Sequence, residues 1–163
     1  MKSRLQNPPS SARRDRRSPH RTIRTFLAED MPLLMTLLVR IVSKDKRVII
    51  VGSAPDGRKA AGNAPTLQPD LVITYLHMPG LDGAEVVRRL KQLPHPPIIF
   101  VVTSDDTPAA RDRSLAAGAD AFLAKGENLV PQLLSTIQEF FPADLEPNNA
   151  EPIQRRETFA TIE

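Results

Sequence analysis

Five short apolar runs punctuate the middle of the chain, and the segment after each can form a helix. The runs are IRTFLA (23–28), RVIIVGSA (47–54), DLVITYL (70–76), PIIFVVT (97–103) and DAFLAK (120–125). Three contain unbroken apolar stretches, the pattern of strands covered on both faces in a parallel sheet. MPLLMTLLVRIVSK (31–44) has Pro32 near its start and a wide apolar face. DGAEVVRRLKQL (82–93) opens with Asp82 and Glu85 in capping-box spacing and offers Val86, Val87 and Leu90 for burial. TPAARDRSLAAG (107–118) has Pro108 in its first turn and Gly118 as its stop. NLVPQLLSTIQEFF (128–141) sets Leu133, Leu134, Ile137, Phe140 and Phe141 on one face.

The second helix is the weak one. DGRKAAGNAPTLQP contains Gly62 and Pro65, and interior Gly costs about 1 kcal/mol and Pro about 3 kcal/mol relative to Ala. A short or broken helix is expected there. Five β-α units in this length predict one open α/β sheet with helices on both sides and right-handed crossovers. Ligands in such sheets gather outside the carboxyl ends of the strands.

Charge separates the two ends from this middle. Residues 1–22 carry seven Lys or Arg and one Asp, a net +6, while residues 142–163 carry five acids and two Arg, a net −3. Residues 23–141 hold thirteen charges of each sign. The overall +3 thus describes an arm and not the folded body. Both ends are rich in proline and poor in residues to bury, so each is expected to be disordered, giving an organisation of 1–22, 23–141 and 142–163. No apolar run approaches the roughly 20 residues of a membrane span. The absence of cysteine removes disulfides, thiolate catalysis and zinc-thiolate sites, and fits a reducing compartment. The basic arm lacks the interleaved aromatics and folded reader of a nucleic-acid module, so that function is disfavoured.

The residues just past the predicted strands are Glu29-Asp30, Ser53, Tyr75-Leu76-His77, Thr103-Ser104 and Lys125. Two adjacent carboxylates, a hydroxyl and a lysine on one rim suit a divalent cation and a phosphoryl group. The same residues would equally make an ion pair closing the sheet rim, and position by itself leaves both readings open. No glycine-rich phosphate cradle is present.

From Ile23 to about Phe141 the sequence resembles a response-regulator receiver domain of bacterial two-component signalling, in particular the receivers that precede a helix-turn-helix output domain. The resemblance is carried by FLAEDMPLL, VIIVGSAPDG, PDLVITYLHMPGLDGAEVVRRL, IIFVVTSDD and AAGADAFLAKG, in that order. It implies a flavodoxin-like fold of five parallel strands in the order 2-1-3-4-5. It also implies that Glu29 and Asp30 bind Mg²⁺, with the backbone carbonyl of His77 as a further ligand. Thr103 would be the switch hydroxyl, Phe122 the switch aromatic and Lys125 the ion-pairing lysine. The position that accepts phosphate from a histidine kinase is an aspartate in the family. Here it is Tyr75.

That replacement removes the nucleophile. The family's chemistry needs a carboxylate that forms an acyl phosphate, and a phenol with a pKa near 10 is neutral at pH 7. The metal site also loses one of three acidic ligands, so Mg²⁺ affinity is expected to fall. Three readings follow: a pseudo-receiver acting without phosphorylation on Asp, a decayed copy, or phosphotransfer to another acceptor such as Tyr75 or Ser104. The favoured one is a stand-alone, non-enzymatic, cytoplasmic interaction module. Its partner would be a signalling protein such as a histidine kinase or another regulator. The surface formed by the fourth helix, fifth strand and fifth helix would serve partner contacts or a homodimer, with Arg111, Asp112 and Arg113 as its charged face. In that setting Phe122 is expected to be static packing under the fourth helix.

Overall fold

The computed structural model describes residues 22–143, and the expectations of disordered ends fall almost wholly outside them. The chain alternates strands and helices in the order β1 (Ile23–Ala28), α1 (Pro32–Val42), β2 (Val48–Ala54), α2 (Gly57–Leu67), β3 (Leu71–Tyr75), α3 (Gly83–Lys91), β4 (Ile98–Thr103), α4 (Pro108–Ala116), β5 (Ala121–Ala124) and α5 (Leu129–Phe140). All strand pairs are parallel and the sheet order is β2-β1-β3-β4-β5. This is the flavodoxin-like arrangement expected from the sequence. α1 packs beside α5, whereas α2 and α4 each pack beside α3. Among the described residues no helix is long and apolar enough to cross a membrane.

Local chemistry explains most element boundaries. Asp82 accepts a hydrogen bond from the Glu85 N–H at 3.0 Å and starts α3. Glu85 does not complete the capping box, because its carboxylate turns to Arg88 and Arg89 instead. Thr107 caps α4 by accepting from the Ala110 N–H, with Pro108 next in line where a missing N–H costs nothing. Gly118, at φ +106°, ends the turn after α4. The core runs through the sheet: Phe26, Leu27, Val72, Ile73, Phe100, Val101 and Val102 are all fully buried. Phe140 of α5 meets the Phe100 ring edge-on, with centroids 5.4 Å apart.

Two expectations need correction. α2 is not short or broken; it runs eleven residues without interruption. Asp56 caps it by accepting from Lys59 N–H at 2.8 Å, and Ala60 and Ala64 are fully buried. Pro65 stands in the last turn, where it forfeits one hydrogen bond to the Ala61 carbonyl, and Gln68 stops the helix in the left-handed region at φ 46°. Burial of one face therefore outweighs the local propensity. The second correction concerns β2. Its apolar run suggested cover on both faces, yet it stands at the edge that the expected strand order gives it, with Ile49 48% exposed. A register shift between Thr25 and Phe26 leaves Val51 as an extra residue in β2. Gly52 follows, and a Cβ there would lie 2.5 Å from the tip of the Leu67 side chain that packs across it, so a larger residue would have to displace that leucine.

Candidate functional site

The parallel register brings the ends of β1, β3, β4 and β5 to one rim. Ala28 is level with Thr74, Tyr75 with Val102, and Thr103 with Ala124. The next residues extend the ladder, since Glu29 N–H donates to the Ala54 carbonyl at 3.1 Å and Lys125 N–H to the Thr103 carbonyl at 2.6 Å. Behind Tyr75 the chain turns closely back on itself. Gly83 N–H donates to the Leu76 carbonyl at 2.7 Å, and a Cβ on Gly83 would lie 2.3 Å from the Tyr75 carbonyl oxygen. Only glycine lets the start of α3 approach β3 so nearly.

At the centre of the rim Tyr75 is buried, only 5% exposed. The Lys125 ammonium sits on its ring face, with Nζ 3.6 Å from the ring centroid. The same Nζ is 3.8 Å from Glu29 Oε2. Lys125 thus lies between a carboxylate and a π face, both of which attract a cation. Glu29 is buried at 2% exposure. Its Oε1 accepts from the Met31 N–H at 2.9 Å, while Oε2 is buried and has no hydrogen-bond partner. The ammonium is its compensating charge.

The titration behaviour follows from this burial. Desolvation pushes Tyr75 far above the ordinary phenol range, and the Glu29 charge pushes it further the same way. Tyr75 is a neutral phenol at any physiological pH. Burial likewise raises Glu29, with neighbouring Asp30 adding to the shift while Met31 N–H and Lys125 oppose it. Lys125 is lowered by desolvation, against the upward pull of Glu29 and Asp30.

The remaining residues singled out in the sequence are placed as follows. Asp30 is half-buried beside Glu29. Thr103 is buried and its hydroxyl accepts from the Asp105 N–H at 3.0 Å. His77 is exposed on the loop after β3, and its Nε2 is 3.2 Å from Asp105 Oδ2. Phe122 is buried in β5 with the Arg111 guanidinium 5.0 Å from its ring centroid. Asp105 was not singled out, although it links His77 to Thr103 and accepts from the Thr107 hydroxyl at 2.7 Å. An acid two residues beyond the hydroxyl that ends β4, just ahead of a Thr-Pro helix start, is the signal that could have found it.

The donor set is a poor match to Mg²⁺. Among the described residues no cluster of three or more His, Cys, Asp or Glu side chains could hold a metal ion. Glu29 and Asp30 are two carboxylates where a hard dication calls for more anionic oxygen, Glu29 already faces an ammonium, and the phenol supplies no charge.

Comparison with known proteins identifies the architecture. The family description "Response regulator receiver domain" matches residues 25–138. Among curated proteins, a protein-glutamate methylesterase/protein-glutamine glutaminase of Anaeromyxobacter dehalogenans is 39% identical over 106 residues, covering 64% of this chain and 30% of that protein. The probable transcriptional regulatory protein NarL of Mycobacterium tuberculosis is 32% identical over 103 residues, covering 63% of this chain and 48% of that one. The chain therefore spans about a third to a half of the length of these relatives. Among solved structures, the signal receiver domain of the putative response regulator NarL from Mycobacterium tuberculosis superposes with a TM-score of 0.66 at 26% identity, covering 73% of this chain and 98% of that one.

Proposed function

The chain belongs to the response-regulator receiver family of two-component signalling, and from that premise we propose that it acts as a pseudo-receiver: a signalling interaction module that works without phosphorylation on aspartate. One observation carries this reading. Tyr75, which this reading puts at the family's phosphoacceptor position, is a buried neutral phenol whose ring face is occupied by the Lys125 ammonium. A phenol so far from ionising is a weak nucleophile and could form only a stable phosphate ester, not the labile acyl phosphate of a fast switch. In this reading Lys125 takes the role of resident cation at Glu29, and the module needs no Mg²⁺. No catalytic step is assigned to the chain's own residues.

Output then passes through surface contacts. The face made by α4, β5 and α5 is the proposed docking region for a signalling partner or a second copy. Its charges are partly committed already: Arg111 covers Phe122, and Arg113 Nη2 donates to Asp82 Oδ2 at 2.7 Å, tying α4 to the start of α3. Leu115, 43% exposed, adds apolar area to it. In this reading Phe122 is static packing, supported by its burial and by the Arg111 guanidinium over its ring.

Incubation with acetyl phosphate and Mg²⁺ followed by intact-mass measurement tests the reading. The unaltered chain is expected to gain no phosphate. Tyr75→Asp is expected to bind Mg²⁺ and gain one phosphate, because it returns the missing carboxylate to a rim that keeps Glu29, Asp30, Thr103 and Lys125. A phosphate adduct on the unaltered chain would overturn the proposal in favour of another acceptor, with Ser104, which is exposed, the first place to map. A folded Tyr75→Asp chain, by circular dichroism, that still fails to label would mean that the rim has drifted beyond one residue.

A further inference from the structure

α1 has two apolar faces, and the sheet uses only one. Leu38, Ile41 and Val42 are buried, whereas Leu33 is 77% exposed and Leu37 49%. At 3.6 residues per turn, positions 33, 37, 40 and 44 fall in one stripe, and Arg40 and Lys44 on it are exposed too. The stripe is apolar toward the β1 rim and basic toward the opposite end of the molecule. Beside that basic end, Lys44, Asp45, Lys46, Leu134 and Gln138 line a shallow depression of about 340 Å³ between α1 and α5.

The described chain leaves α5 next to this depression. Arg47 Nη1 donates to the Phe141 carbonyl at 2.5 Å, and Ile23 N–H donates to the Arg47 carbonyl at 2.7 Å. Both flanking segments of the chain, 1–21 and 144–163, therefore begin at this end, and charge distinguishes them. Residues 144–163 hold five acids and two arginines, together with Leu145, Ile153, Phe159 and Ile162. Residues 1–21 hold seven basic residues and one acid, and Arg40, Lys44 and Lys46 would repel them. We propose that segment 144–163 docks back onto α1, with its acids at Lys44, Lys46 and Arg40 and its apolar side chains over Leu37 and Leu33. Reach is ample: twenty residues extend roughly 65 Å at about 3.3 Å each, against about 16 Å for the length of α1. Covalent attachment supplies a high effective concentration, so weak contacts suffice. Docked this way, the segment occludes α1 and leaves the α4 side of the molecule open. The inference stands apart from the pseudo-receiver reading, since it uses no residue of the Tyr75 rim.

The full chain has no cysteine, so a nitroxide on Thr36→Cys, an exposed position beside Leu37, is a unique probe. Amides of the folded body near position 36 broaden in any case; among the flanking residues, spectra of the whole chain are expected to lose peak intensity selectively within 144–163. The loss should be relieved by salt and by the combined reversals Glu146→Lys, Glu151→Lys and Glu157→Lys. Three outcomes overturn the proposal: loss confined to 1–21 or absent altogether, loss seen only between separately labelled chains in a mixture, which makes a second copy the occupant, or loss that persists after charge reversal.

Discussion

Tyr75 brings a large volume, no charge and a weak acidity to the rim, and its surroundings register all three. The ring is large enough to reach Lys125, whose ammonium lies over its face at 3.6 Å. Neutrality leaves Glu29 as the carboxylate nearest that ammonium, at 3.8 Å. Burial keeps the hydroxyl protonated. Because Glu29 Oε2 has no hydrogen bond, its charge depends on Lys125. Replacing Lys125 by Met should therefore destabilise the fold by on the order of 2 kcal/mol at neutral pH, by leaving a buried carboxylate uncompensated. The sign with pH follows from the raised Glu29. A carboxyl whose folded pKa lies above its unfolded value favours the fold while protonated and loses that contribution as pH rises through the folded value. The Lys125→Met deficit should thus vanish in acid and grow as pH rises through the Glu29 titration, a trend that urea melts at a series of pH values will show. Tyr75 at the end of the third strand, with Glu29, Asp30, Thr103 and Lys125 on the same rim, was legible in the sequence because a parallel sheet delivers strand ends to one edge. That Lys125 would meet the ring face was not, since side-chain direction depends on what fills the space around it.

Among the elements, α2 separates local from tertiary preference. Its Gly62 and Pro65 argued for a break, and the helix forms because Ala60 and Ala64 are buried and Leu67 packs over Gly52. Gly62 itself is exposed, with nothing within 4 Å of where a Cβ would stand. Gly62→Ala should accordingly stabilise the protein by about 0.5–1 kcal/mol, through reduced freedom of the unfolded chain, read as a higher urea midpoint with unchanged slope. Three other helices were legible from their starts: Pro32, Asp82 and Pro108 mark N-termini in the sequence and stand there in the structure. The apolar run of β2 suggests cover on both faces, whereas the order 2-1-3-4-5 that the receiver resemblance implies puts it at the edge, and there Ile49 is left exposed. That edge position is decided by strand order, a long-range property.

For the molecule as a whole, the end of the sheet opposite the Tyr75 rim is held by a charged clasp. Asp45 accepts from Arg47 Nη2 at 2.7 Å and from its backbone N–H at 3.0 Å, and Arg47 reaches on to the Phe141 carbonyl that ends α5. The pair joins the turn after α1 to the last helix across 94 residues of sequence. Hydrogen bonds from Arg47 hold Asp45 below the ordinary aspartate range, against the opposing effect of burial. A carboxyl with a depressed folded pKa contributes stability above its unfolded value and loses it as pH falls through the folded one. Asp45→Asn should cost about 1–3 kcal/mol at neutral pH, and the difference from the unaltered chain should disappear below the ordinary aspartate range. Thermal melts of both chains across acid pH check this.

The sequence by itself determined the alternation of five strands and five helices, the parallel sheet and the identity of the residues at its carboxyl edge. Those follow from period, length and capping chemistry, which act within a few residues. Only the tertiary structure decided that α2 would survive its proline, that Val51 would stand as an extra residue in β2 beside a Gly52 covered by Leu67, and that Lys125 would lie between Glu29 and the Tyr75 ring. Each of these depends on groups far apart in the chain meeting in a medium of low polarity, where burial can reverse a local preference and an unpaired charge must find a counter-charge.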